Sequence, residues 1–263
     1  MATTTPDWNP ETYARFRGLR LRPALDLLAQ VGEVPAGDIV DLGCGDGAVG
    51  PALRLRWPDR RLVGIDASPA MLAGARTCGA YDALIEADAG TWQPAAPPAL
   101  IFSNALLHWL PDHATLLPRL AGLLAPGGTL AVQVPGQHDA PSHALLRQVA
   151  RDLRPDLFDF SAYVPPVAMP ADYARMLAPL GTVSAWETTY LQRLAPVLAP
   201  VEDGHPVRRF TQSTAMRPFV EKLGDDAADF VADYDAALAR VYPPEPDGSV
   251  LFPFRRVFFV LTV

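Results

Sequence analysis

The stretch "IVDLGCGDGAVGP", Ile39 to Pro51, decides the fold. Gly43, Gly45 and Gly47 make a G-x-G-x-G turn, and Gly45, Gly47 and Gly50 make an overlapping G-x-G-x-x-G. "DIVDLG" reads as a short buried strand running into the glycines. "AVGPALRLRW" reads as a helix with Pro51 in its first turn, where a missing N–H costs nothing. A dinucleotide fingerprint needs its first glycine at the strand's end, so that the helix N-terminus faces the pyrophosphate. Here the strand ends at Gly43 and Gly50 falls inside the helix, so the second pattern comes one turn late. Asp41 and Asp46 flank the loop and would repel a pyrophosphate at the low effective dielectric of a cleft. They would attract a ligand carrying a sulfonium and an ammonium, which favours S-adenosylmethionine over NAD. Asp66 closes the next strand about 20 residues on, where an acid can bond both ribose hydroxyls. That spacing alone would also suit NAD. Asp88, closing a third strand, could reach an adenine amino group.

Working outward, "RPALDLLAQV" places Leu25, Leu28 and Val31 at helical spacing. "RLVGIDAS" is the second strand, and Ser68-Pro69 opens the helix "AMLAGART" as N-cap and first residue. "DALIEAD", "ALIFSNA" and "TLAVQVP" are further strands, the last preceded by the helix "HATLLPRLAGLLAPGG". This alternation predicts a doubly wound, mostly parallel α/β sheet of Rossmann-like type. Beyond Pro135 the rhythm changes. "SHALLRQVARDL" and "ADYARMLAPLG" read as helices, "TVSAWETTYLQRL" as a sixth strand and "RRVFFVLTV" as a seventh. Helices around 210–223 and 226–242 read as a cover at about 195–249, inserted before the last strand. The whole chain, 1–263, is expected to form one domain: an N-terminal helical segment at 1–34, a cofactor-binding core at 35–135, and the late strands with their cover at 136–263.

The 263 residues carry 22 basic and 29 acidic side chains, a net charge of −7. That sign argues against nucleic acid or anionic lipid as a partner. No apolar run reaches the roughly 18 residues of a membrane span, and "MATTTPDWNP" has neither the basic start nor the apolar run of a signal peptide. Cys44 and Cys78 read as reduced thiols of a cytoplasmic protein. Five histidines, at 108, 113, 138, 143 and 205, form no ligand set with them, so no metal is expected.

"DLGCGDG", "GIDASPAML", "EADAGTW" and "NALLHWLPDH" resemble the class I S-adenosylmethionine-dependent methyltransferases. "DWNPETYARF", "HWLPDH", "LAVQVPG", "WETTYL", "MRP" and "FPFRRVFFV" narrow the resemblance to the trans-aconitate 2-methyltransferases, across nearly the whole chain. The resemblance implies a seven-stranded sheet and methyl transfer to a carboxylate of a small polycarboxylic acid, with S-adenosylmethionine as cofactor and S-adenosylhomocysteine as product. It implies cofactor contacts from Asp41, Gly43, Cys44, Gly45, Asp66, Ala67, Ser68, Met71, Asp88, Ala89, Asn104 and Trp109. A carboxylate is already anionic at neutral pH, so no general base is required. Cations should instead hold the carboxylates that do not react, because an Arg on the reacting oxygen would blunt its nucleophilicity. Arg217, Arg256, Arg255 and Arg22 are the candidates, with Tyr13, His108 and Trp109 beside the acceptor. The same cofactor with a different small acceptor, an NAD-dependent oxidoreductase, and a noncatalytic adenosyl-binding module are the alternatives. A monomer or weak dimer fits equally.

Overall fold

The computed structural model describes residues 17–196, 204–212 and 214–263. Seven strands form one sheet: β1 (Ile39–Leu42), β2 (Leu62–Asp66), β3 (Ala83–Glu86), β4 (Leu100–Asn104), β5 (Thr129–Pro135), β6 (Thr182–Leu194) and β7 (Val250–Thr262). Their order is β3-β2-β1-β4-β5-β7-β6. β1 to β5 pair in parallel, and β7 returns antiparallel on β5, from Thr129↔Thr262 to Pro135↔Arg256. The expected mostly parallel, doubly wound sheet is therefore the one found. β1 lies between β2 and β4, so the connections diverge there and leave a crevice at the carboxyl ends of the strands.

The chain separates into two compact units. The first runs to Pro135 and adds Pro166–Thr188 and Arg256–Val263. One face of its sheet carries Val40, Ile65, Ile101, Val132 and Phe259 against Leu117 and Leu120 of the helix His113–Ala121 and Tyr173 and Leu177 of the helix Pro170–Leu177. Strand alternation sends Asp41, Gly64, Phe102 and Gln133 to the opposite face. α1 (Arg17–Gln30), α2 (Gly50–Arg56) and α3 (Pro69–Thr77) contact strands of the same unit. The buried side of α1 is Ala24, Leu27 and Leu28, and Leu25 is 41% exposed. Of the expected stripe, Leu28 and Val31 are therefore buried and Leu25 alone turns outward, about 100° around the helix from Ala24.

The second unit comprises Gly136–Pro165 and Thr189–Arg255. In chain order the later helices, with those of the first unit counted, are α4 (His113–Ala121), α5 (Pro141–Leu153), α6 (Pro170–Leu177), α7 (Pro206–Thr211), α8 (Arg217–Leu223) and α9 (Ala227–Val241). α9 buries Phe230, Tyr234 and Leu238 at four-residue spacing, and the Tyr234 hydroxyl donates to the Ser142 carbonyl of α5 at 2.8 Å. The single helix expected at 210–223 is two. The Met216 N–H turns back to the Thr211 carbonyl, and Pro218 sits in the first turn of α8, where its missing N–H is harmless. β7 also starts at Val250, five residues before the expected Arg255. Pro253 removes a strand donor there, and the Gln137 side chain takes up the pairing: its Nε2 donates to the Pro253 carbonyl and its Oε1 accepts the Arg255 N–H.

Candidate active site

The loop after β1 uses the G-x-G-x-G register. Gly43, Gly45 and Gly47 have φ of +78°, +55° and +82°, the region glycine enters without steric cost. Gly50 begins α2, and a Cβ there would fall 2.7 Å from ring carbons of Tyr81. Its glycine serves packing, not a ligand. The N–H groups of Gly43 and Cys44 both donate to the Ile65 carbonyl, which ties the loop to the end of β2. At Gly45 an added Cβ would meet nothing within 4 Å, so this face of the loop is open.

Asp66, at the end of β2, is fixed by backbone donors. The Gly45 N–H reaches Oδ2 and the Ser68 N–H reaches Oδ1, each at 2.9 Å. Burial raises its pKa and these N–H groups oppose the shift. Each oxygen keeps acceptor capacity for a hydroxyl. Ser68 caps α3 by accepting the Met71 N–H, which leaves Met71 buried and Ala67 exposed. Asp88 is exposed and accepts the Gly90 N–H at 2.7 Å, beside buried Ala89.

Asp41 has a different partner from the ligand expected of it. It is 1% exposed and accepts the Tyr81 hydroxyl at 2.6 Å. Burial pushes its pKa up to about 7, against the Tyr81 hydrogen bond and with the help of the nearby Asp66 charge. At neutral pH it is only partly ionised, which weakens any attraction it would exert on a cationic ligand. Cys44 is also buried, and burial pushes its thiol far up, which rules it out as a nucleophile.

A second polar group lies at the carboxyl ends of β4 and β5 and mid-way along β7 beside them, on the face that carries Asp41. Register sets Asn104 beside Gln133 and Pro135 beside Arg256. Asn104 Oδ1 and Gln133 Nε2 are buried with no hydrogen-bond partner among the described residues. Arg256, 3% exposed, donates from Nη1 to Gln133 Oε1 over a long 3.4 Å. Trp186 stacks on Phe258 next to them, with ring centroids 5.0 Å apart. Ala105, just past β4, holds a φ of +57°, and its N–H donates to the Gln133 carbonyl at 2.8 Å. Strain at a non-glycine residue is retained where the surrounding structure enforces it, often beside a ligand. His108 and Trp109 follow in a 3₁₀ turn with ring centroids 4.6 Å apart, and Trp109 is 48% exposed.

The other expected arginines have partners of their own. Arg22 is exposed with Asp26 one turn away at 3.9 Å, and Arg217 donates to Glu221 at 2.6 Å. Arg255 donates from Nε to the Gly136 carbonyl at 2.8 Å. Tyr13 lies outside the described residues. His113 is a core residue bonded to the Tyr173 hydroxyl and the Leu107 carbonyl. No group of three His, Cys, Asp or Glu among the described residues could hold a metal ion. Sequence reasoning missed Tyr81 and Gln133. Gln133 had a signal, a lone amide inside the apolar "TLAVQVP"; Tyr81 had none.

The cradle fits S-adenosylmethionine: an open glycine loop, a carboxylate oriented at ribose spacing, and an unpartnered buried amide oxygen on β4. A family model described as a methyltransferase domain matches residues 13–194. The trans-aconitate 2-methyltransferase of Methylobacterium nodulans is 44% identical over 258 residues, covering 97% of each chain. That of Streptomyces avermitilis is 44% identical over 272 residues, covering 99% of this chain and 98% of the relative. Among solved structures, the YcgJ protein of Bacillus subtilis superposes with a TM-score of 0.55 at 14% identity, covering 92% of this chain and 98% of the other, and so shares the fold. By its near full-length identity with these relatives and its methyltransferase domain, the chain belongs to the trans-aconitate 2-methyltransferase family.

Proposed function

We propose that this chain methylates one carboxylate of trans-aconitate or a closely similar small polycarboxylic acid, giving a monomethyl ester and S-adenosylhomocysteine. The observation that carries the reading is Asp66 held by the Gly45 and Ser68 N–H groups at the mouth of a G-x-G-x-G loop, in a chain 44% identical to enzymes of that name. Bound S-adenosylmethionine supplies an electrophilic methyl group. Asp66 would accept from the ribose hydroxyls, Asn104 Oδ1 from the ammonium, Asp88 from the adenine amino group, and Met71 would back the ring. The acceptor carboxylate, with a pKa near 4, needs no proton removed. An oxygen–carbon bond forms, the sulfur–carbon bond breaks, and the electron pair stays on sulfur. The chain's work is then alignment and exclusion of water. Arg256 would hold a carboxylate that does not react; its burial beside Gln133 supports this. We read the reaction as cytoplasmic, on a monomer or weak dimer without nucleic acid; the charge of −7 and two free cysteines support this.

A panel of tri-, di- and monocarboxylic acids, followed by release of S-adenosylhomocysteine, tests the reading. Turnover should be highest with a tricarboxylate. Turnover of a non-acid acceptor alone would replace the substrate class, and binding of NADH in place of S-adenosylmethionine would replace the cofactor.

A further inference from the structure

Gln133, near the carboxyl end of β5, has no part in the reaction described above, yet it is a polar side chain that is 0% exposed. Its Oε1 accepts from Arg256 Nη1. A guanidinium can only donate, so the amide turns its oxygen to Arg256 and leaves the two N–H donors of Nε2 over. Nε2 is buried without a hydrogen-bond partner among the described residues. An acceptor stands beside it. The register sets Asn104 of β4 opposite Gln133, and Asn104 Oδ1 is likewise buried and unpartnered among the described residues. The two amides could satisfy one another across the ladder and do not. A buried donor and a buried acceptor left apart both cost stability, a cost that is recovered when a ligand takes each of them. The donor suits an anion and the acceptor a cation. Contacts within the first unit tie this pair to the glycine loop. The Ala105 N–H donates to the Gln133 carbonyl at 2.8 Å, and Leu106, next in the chain, packs on the loop: a Cβ at Gly43 would fall 2.7 Å from Leu106 Cβ. Arg256 belongs to the same unit.

We propose that Gln133 is a specificity-determining residue for the acid: its Nε2 donates to the carboxylate that Arg256 pairs with, so that a cation and a neutral donor grip one acceptor-only group. The inference rests on the function proposed above and adds a side chain that selects the anion by hydrogen bonding as well as by charge. A neutral donor serves here where a second arginine would not, since it adds a bond without a further full charge beside the reacting oxygen.

Steady-state kinetics of the full chain on trans-aconitate, with S-adenosylhomocysteine affinity measured alongside by calorimetry, tests it. Gln133→Met keeps the length of the side chain and removes its polar atoms. KM for trans-aconitate should then rise about tenfold or more, the effect of a hydrogen bond lost from a charged partner, with S-adenosylhomocysteine affinity within about twofold of the parent's. Gln133→Leu repeats the test should the Met variant fold poorly. Gln133→Glu keeps the shape and puts an anion where the donor stood, so its KM should rise further than that of the Met variant. A packing role would instead leave the Glu variant nearest the parent. Gln93→Met, at an exposed amide, is the control and should behave as the parent does. Unchanged KM in Gln133→Met, with turnover intact, would overturn the role of Gln133 and leave the function standing. A rise in KM matched by an equal loss of S-adenosylhomocysteine affinity, or a Glu variant nearer the parent than the Met variant, would make Gln133 a structural residue and overturn it too. A parent enzyme that methylates no polycarboxylate would defeat the function first and this role with it.

Discussion

At the scale of single residues, two aspartates on neighbouring strands, Asp41 on β1 and Asp66 on β2, differ by environment. Asp66 keeps its carboxylate oriented by two N–H donors, so the hydrogen bonds proposed for it to a diol would need no rearrangement. Asp66→Ala should weaken S-adenosylmethionine binding by about 1–3 kcal/mol, the scale of hydrogen bonds to a charged partner. Calorimetry checks this, and unchanged affinity would remove Asp66 from the site. Asp41 is instead sealed against Tyr81, with a folded pKa of about 7 against an ordinary 3.8. A raised folded pKa means that the folded state holds a proton the unfolded chain has already released. The stability it contributes is therefore full below about pH 4 and lost as pH rises through 7. Asp41→Asn removes that titration while keeping an acceptor for Tyr81. Its urea midpoint should gain on the parent's between pH 5 and pH 8. Parallel midpoints across that range would mean that Asp41 is not protonated in the fold at neutral pH.

At the scale of elements, the glycine loop and the helix after it separate binding from packing. Gly45→Ala places a Cβ in open space, at a cost of about 1 kcal/mol for the positive φ. Its larger effect should be on S-adenosylmethionine affinity, because the proposed cradle would put the ligand on the open side of the loop where the methyl goes. Gly50→Ala drives a Cβ to 2.7 Å from Tyr81 and should cost about 1–3 kcal/mol of stability. Melting and titration of both variants should show opposite rankings; matching rankings would contradict the division. The loop register was legible because a strand end, a proline and three glycines are all local. Ser68-Pro69 was legible for the same reason. The early start of β7 was not, since the group that pairs with the Pro253 carbonyl and the Arg255 N–H is Gln137, more than a hundred residues away. Tyr81 was hidden likewise: nothing in its neighbours announces a bond to Asp41. The split at Met216 was in principle visible, because Pro218 belongs at a helix start and not in its middle.

At the scale of the whole molecule, the proposed reaction needs a cofactor cradle in the first unit and an acid already ionised in water. Because the acceptor titrates near pH 4, turnover with both ligands saturating should stay flat from about pH 6 to 8. A steep fall toward pH 6, with binding intact, would indicate a general base, and His108 would be the first to test. The most direct measurement is the fate of a labelled methyl group. With radiolabelled S-adenosylmethionine and trans-aconitate, label should appear in the acid fraction as S-adenosylhomocysteine forms in equal amount. Mild hydroxide should then release it as methanol, since a carboxylate ester hydrolyses where a methyl on nitrogen or carbon does not. Label that survives hydroxide, or label that never reaches a polycarboxylate while the cofactor binds, would contradict carboxyl methylation.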